Sequence, residues 1–146
     1  MKLTHILLVE DNEGDILLTR DALENAKINV TLSVVKDGKE AMDFLNREGA
    51  YKDVCVPDML LLDINLPKKN GHEVLQYVKG KENLKHIPVI MLTTSSSKAD
   101  IDLSYQHHAN CFITKSGDSN IFMEVIGKLE EFWISIVRLP FNTCSL

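Results

Sequence analysis

A chain of 146 residues with 45% apolar and 25% charged residues can bury one sizeable core but not two, so a single domain over 1–146 is expected. A formal net charge of -5, with no stripe of Lys and Arg, excludes a surface built to attract nucleic-acid phosphates. The opening MKLTHILLVED carries an apolar run too short and too soon acidic for a signal peptide or a membrane span, so a cytoplasmic protein is expected. Cys55, Cys111 and Cys144 show no metal-ligand spacing and fit reduced thiols better than a disulfide framework.

Short apolar runs alternate with segments of helical period, which is the pattern of βαβ units in an α/β, doubly wound architecture. The first strand is expected at 5–10 (HILLVE), followed by a helix over 13–26 with Ile16, Thr19, Leu23 and Ala26 on one side. The second strand, 29–35 (NVTLSVV), alternates polar and apolar residues as an edge strand does, and a helix over 39–47 follows around Ala41, Phe44 and Leu45. Residues 48–58 form a loop before the third strand at 59–63 and a helix at 71–79 around Val74, Leu75 and Val78. The fourth strand, 88–93, leads to a helix over 98–107 carrying Ile101, Leu103 and Tyr105, and the fifth strand spans 111–113. The last helix, about 120–138, gathers Ile121, Phe122, Val125, Ile126, Leu129, Phe132, Trp133, Ile136 and Val137 within an arc of roughly 160° at about 100° per residue. Pro140 begins a tail, PFNTCSL.

In a doubly wound sheet the ligand site lies beyond the carboxyl ends of the strands, so the residues that end them are the informative ones: Glu10 and Asp11, Asp63, Thr93 and Lys115. Carboxylates converging from adjacent strand ends repel by about 4 kcal/mol per pair at 4 Å and an effective dielectric of 20, unless a cation sits among them. Mg2+ suits such a set, with Asp11 and Asp63 as direct ligands, Glu10 acting through water and the Asn65 carbonyl completing the shell. Lys115 brings a mobile positive charge and Thr93 a hydroxyl, both suited to phosphoryl oxygens. Standing alone, Asp63 could equally cap a turn and Thr93 could punctuate a loop; it is the five groups together that point to chemistry. His107 and His108 close a helix, where histidines usually meet its terminal carbonyls.

The runs ILLVEDN, LLLDINLPKKNG, PVIMLTT and CFITKS, in that order over roughly residues 2–131, resemble the receiver domain of bacterial two-component response regulators. The resemblance implies a (βα)5 flavodoxin-like three-layer sandwich whose parallel five-stranded sheet has the order 2-1-3-4-5. It implies Asp63 as phosphoacceptor, Glu10 and Asp11 as the acidic pair, Thr93 as the switch hydroxyl, Lys115 as the family's lysine and Phe112 as the switch aromatic, although a Phe in a short strand can equally be plain core. Asn65 and Ser95 sit where the family tunes phosphoryl lifetime. The partner implied is a histidine kinase, and the chain would catalyse only its own phosphorylation and dephosphorylation. Ser116 departs from the proline usual after the lysine, and Thr94 is bulkier than the usual alanine or glycine. ITKS with LPKKNG and a C-terminal EEFW segment is similar to the small single-domain regulators that partner cyanobacterial-type phytochrome histidine kinases. The apolar face extends past the resembled domain from about residue 132, so a homodimer through the C-terminal helix is expected, with output through protein contacts to an unnamed target. Two rivals stand beside this reading. A haloacid-dehalogenase-type phosphatase would want an acid two residues after Asp63, where Asn65 stands, and a degenerate receiver would dock partners regardless of phosphorylation.

Overall fold

The leucine- and valine-rich runs become the interior of a parallel sheet covered on both faces. The computed structural model describes residues 3–25 and 29–140, with the side chains of all of these but 135 and 136. Its elements are β1 (Thr4–Val9), α1 (Glu13–Glu24), β2 (Val30–Val35), α2 (Gly38–Asn46), β3 (Met59–Leu62), α3 (Gly71–Gly80), β4 (Val89–Thr93), α4 (Lys98–Gln106), β5 (Cys111–Thr114) and α5 (Ser119–Glu130). The strands pair in parallel in the order β2-β1-β3-β4-β5, as the resemblance implied.

Alternation along each strand divides the core in two. Leu7, Val9, Leu60, Leu62, Val89 and Met91 pack with Phe44, Leu45, Val74, Leu75 and Val78 of α2 and α3. Ile6, Leu8, Met59, Leu61, Ile90 and Leu92 face the other way, onto Ile16 and Leu23 of α1 and Phe122, Ile126 and Leu129 of α5. Each fully buried side chain of this size contributes about 1.5–3 kcal/mol. Every strand side chain of β3 and β4 is buried, whereas β2 is mostly half-exposed, as befits the edge position expected for it.

Loops at the carboxyl end of the sheet feed directly into helix N-termini, and side chains cap them: Asn12 for α1, Asp37 for α2, Asn70 with Glu73 in a capping box for α3, Ser97 for α4 and Asp118 for α5. The strand-end residues are thereby held by short, hydrogen-bonded turns.

Several expectations need correction. The last helix does not continue to residue 138: α5 ends at Glu130 and gives way to a π-helical segment, Glu131–Ile136, where the Val137 amide donates to the Phe132 carbonyl five residues back. The expected apolar stripe is not buried as one face. Trp133 and Val137 turn onto the core, Phe132 and Ile121 stay exposed, and the Ile136 side chain lies outside the described residues. In α4, Ser104 rather than Tyr105 is buried, because the Ser104 hydroxyl satisfies itself on the Asp100 carbonyl. Residues 49–51 of the expected loop form a 3-10 turn. Cys55 is disulfide-bonded, against the expectation of reduced thiols, since spacing in the chain says little about proximity in the fold; Cys111 is free. Ala26 and Cys144 lie outside the described residues.

Two features of this frame carry measurable consequences. A Cβ on Gly71 would lie 2.1 Å from the Asp63 carbonyl oxygen and 2.7 Å from the Ile64 Cα, backbone atoms that cannot swing aside. Gly71→Ala is therefore expected to cost about 1–3 kcal/mol or more in urea unfolding, as overpacking does. Glu130 is 1% exposed, with Oε2 unpartnered among the described residues, and burial pushes its pKa up to about 7. The folded chain thus keeps a proton that the unfolded chain releases, so this group lowers stability as pH rises from about 4.5 to about 7. Glu130→Gln should remove that part of the slope and unfold at higher urea than wild type at pH 8, with little difference at pH 4.

Candidate functional site

Sheet pairing continues one residue past the strands and sets the site. The Glu10 amide donates to the Val35 carbonyl at 3.0 Å, the Asp63 amide to the Val9 carbonyl at 3.1 Å and the Lys115 amide to the Thr93 carbonyl at 2.7 Å. Glu10, Asp63, Thr93 and Lys115 are thus placed in register by backbone hydrogen bonds between neighbouring strand ends.

The side chains converge as a consequence. Carboxylate oxygens of Glu10, Asp11 and Asp63 lie within 4.8 Å of one another, with Glu10 and Asp63 buried and Asp11 open to solvent. The Lys115 side chain, 3% exposed, threads between them: its Nζ donates to Glu10, to Asp15 Oδ2 at 2.9 Å and to Asp63 Oδ2 at 3.2 Å. Asp63 Oδ1 accepts the Asn65 amide at 3.3 Å, and Glu10 Oε1 accepts the Asn12 amide at 3.0 Å. Burial, and then the nearby Asp63 charge, push the Glu10 pKa up to about 7 against the pull of Lys115. Burial also works to lower the Lys115 pKa, but hydrogen bonds to Glu10 and Asp15 and the charge on Asp63 outweigh it and hold the ammonium above its ordinary value. Lys115 therefore stays charged, while burial works against the charge on Glu10.

The loop after Asp63 is clamped from the side. Gly71 donates to the Ile64 carbonyl at 2.8 Å, and Gly38 at the start of α2 donates to the Pro67 carbonyl at 3.4 Å. A Cβ on Gly38 would meet the Lys69 carbonyl at 1.9 Å, so only glycine lets α2 approach this closely. Lys68 adopts a left-handed φ of 67° and pairs with Asp37 at 3.6 Å.

Of the residues singled out in the sequence, Glu10, Asp11, Asp63 and Lys115 come together, with Asn65 beside Asp63. Thr93 is fully buried, its Oγ1 accepting the Ser95 amide at 3.4 Å. Phe112 lies outside the pocket, half-buried against the cluster under α3, while its amide donates to the Tyr105 hydroxyl at 3.2 Å. The Ser116 hydroxyl takes up the Asp118 amide at 3.1 Å, which organises the loop after the lysine. His107 caps α4 and meets Gln76 at 2.8 Å. Asp15 was not anticipated; its signal was the spacing of four from Asp11, which puts it in the first turn of α1 beside the pocket.

Four carboxylates against one ammonium leave the pocket short of positive charge, and the donors are all oxygen. That set fits a hard divalent cation held by Glu10, Asp11 and Asp63.

A parallel 2-1-3-4-5 sheet with an acidic cluster, a threonine and a lysine at its carboxyl edge is the arrangement expected of a receiver-type signalling domain. The sequence model of the response regulator receiver domain matches residues 6–127, and the chain belongs to that family. It is 42% identical over 135 residues to response regulator Rcp1 of Synechocystis sp., covering 92% of each chain. The structure of the phosphorylated cyanobacterial phytochrome response regulator RcpA superposes with a TM-score of 0.93 at 45% identity, covering 96% of this chain and 100% of that one. The Mn2+-bound form of Rcp1 superposes with a TM-score of 0.92 at 41% identity, covering 94% and 99%. As a receiver domain the chain is a signalling module that binds a divalent metal.

The charge balance is directly testable. Lys115→Ala leaves Glu10 and Asp63 buried without their cation, a loss expected to cost about 3–5 kcal/mol in thermal or urea unfolding at pH 7. Addition of MgCl2 should restore part of it, so the rise in melting temperature on adding Mg2+ should be larger in Lys115→Ala than in wild type.

Proposed function

We propose that this receiver takes a phosphoryl group from a histidine kinase onto Asp63, in the presence of Mg2+, and signals through the resulting change in its protein contacts. The observation that carries this reading is the Asp63 carboxylate itself, buried beside Glu10 and hydrogen-bonded by Lys115 Nζ at 3.2 Å at the end of β3.

The Asp63 carboxylate attacks the phosphorus of a kinase phosphohistidine. The P–N bond breaks, its electron pair stays on the imidazole nitrogen, which takes a proton from solvent, and an acyl phosphate forms on Asp63. Lys115 neutralises charge on the transferred oxygens, a contribution that its fixed position makes without reorganisation. Mg2+, held by Glu10, Asp11, Asp63 and the Asn65 carbonyl, would neutralise further charge on the same oxygens.

The new group adds about -1.5 to -2 charge, which draws the Thr93 hydroxyl inward. Space opens behind it and Phe112 follows, biasing a pre-existing equilibrium of the outer face. The likeness to the cyanobacterial phytochrome response regulator RcpA supports a place in light signalling, with a phytochrome-type histidine kinase as phosphodonor. Phe132 and Ile121, exposed on the C-terminal segment and α5, support a homodimer through that region. The chain acts as a single receiver domain over 1–146 with a C-terminal extension, without nucleic acid or membrane.

Incubation with acetyl phosphate and Mg2+ should label wild type and leave Asp63→Asn unlabelled, as read by intact mass, while sizing of the two samples reports the change in contacts. A variant labelled at the wild-type level would overturn the assignment.

A further inference from the structure

Beyond the pocket, a line of hydrogen bonds runs from the start of α3 to the switch threonine. Asp100, in the first turn of α4, uses both carboxylate oxygens on protein partners: Oδ2 accepts the Ser95 hydroxyl at 2.5 Å and Oδ1 meets His72 Nε2 at 3.1 Å. A carboxylate only accepts, so His72 Nε2 carries a proton, and His72 Nδ1 is buried without a partner among the described residues. Hydrogen bonds from Ser95 and then His72 hold the Asp100 pKa below the usual carboxylate range.

Both ends of this line are informative. His72 follows Gly71, which packs close to the Asp63 backbone and whose amide is tied to Ile64, so the His72 end is anchored beside the acceptor strand. Ser95 at the other end donates its amide to Thr93 Oγ1 at 3.4 Å. Ser97 ties into the same loop, its hydroxyl 3.5 Å from that of Ser95 and capping the Asp100 amide at 3.1 Å.

We propose that His72 and Asp100 are positioning residues for the switch: they form a strut that pins Ser95, and through it Thr93, in the resting arrangement. The inference rests on the phosphoryl-acceptor reading of Asp63. A phosphoryl group there requires the Thr93 hydroxyl to turn toward it, and the loop that holds this hydroxyl is anchored through Ser95 and Asp100 to α3. The strut therefore biases the two-state equilibrium toward rest, and the apparent affinity for a phosphoryl group is reduced by the fraction of competent molecules.

The test is equilibrium binding of beryllofluoride, a phosphoryl mimic that forms on a carboxylate oxygen, to the full chain with Mg2+, followed by calorimetry. Asp100→Ala should bind more tightly than wild type by about twofold to thirtyfold, the range over which residues between coupled sites act. Asp100→Asn keeps an acceptor for Ser95 but sets its NH2 against the His72 Nε2 proton, so it should match His72→Phe, which cuts the same contact and leaves the Asp100 charge in place; wild-type binding by Asp100→Asn would overturn the strut. His72→Phe cuts the same line from the other end and should match Asp100→Ala, with the double variant no tighter than either. Unchanged or weaker binding by Asp100→Ala and His72→Phe, with wild type binding normally, overturns this inference alone. Failure of wild type to bind, or equal binding by Asp63→Asn, overturns the reading of Asp63 and the inference with it.

Discussion

The Lys115 ammonium holds the site together, because three carboxylates from two strand ends and one helix turn meet at a single nitrogen. Its partners lie up to 105 residues away in the chain, on β1, α1 and β3, so the ion pairs close only when the sheet has formed in its proper order. The converse also holds. Glu10 and Asp63 are tolerable as buried acids only because a cation reaches them, and even so Glu10 remains half-way to neutrality at pH 7. A pocket left with this much uncompensated negative charge is predisposed to take up a divalent ion, and an ion among the carboxylates frees Lys115 to serve another anion. A phosphoryl group on Asp63 is such an anion.

The frame that sustains this arrangement is rigid where the chemistry occurs. The backbone of Asp63 is fixed on one side by β1 pairing and on the other by Gly71, and the loop beyond it is gripped by Gly38 and by the Asp37–Lys68 pair. The Thr93 backbone is fixed as well, in β4 beside β5 with its carbonyl accepting the Lys115 amide, but its hydroxyl takes a long hydrogen bond from the Ser95 amide of the loop that follows. On the phosphoryl-acceptor reading proposed for Asp63, a fixed carboxylate beside a hydroxyl tied to the following loop suits a switch whose trigger must be positioned and whose reporter must turn.

Much of this was legible in the residues because it depends on local pattern. Continuous apolar runs such as MLLL and VIMLT distinguish central strands from the alternating edge strand, and the strand-end rule then isolates Glu10, Asp63, Thr93 and Lys115 without any knowledge of distances. What was missed depends on tertiary neighbours. Asp15 and His72 are ordinary helix-surface residues in the sequence, and only the packing of α1 on the pocket and of α3 beside α4 gives them partners. Cys55 failed for a similar reason. The π-helical winding after Glu130 escaped because a stripe at about 100° per residue assumes 3.6 residues per turn throughout.

One apolar stripe thus serves two purposes. At about 100° per residue Phe132 falls about 20° from exposed Ile121, whereas Phe122, Ile126 and Leu129 lie about 80–140° further round and face the sheet. Trp133 and Val137 pack on the core, and Phe132 stays outside, edge-on to the Trp133 ring at 5.9 Å. Phe132 is therefore braced from beneath by a core residue while its other face meets solvent. A rigid, exposed aromatic side chain loses little conformational freedom when a partner covers it, which makes this position better suited to an interface than a flexible apolar residue would be.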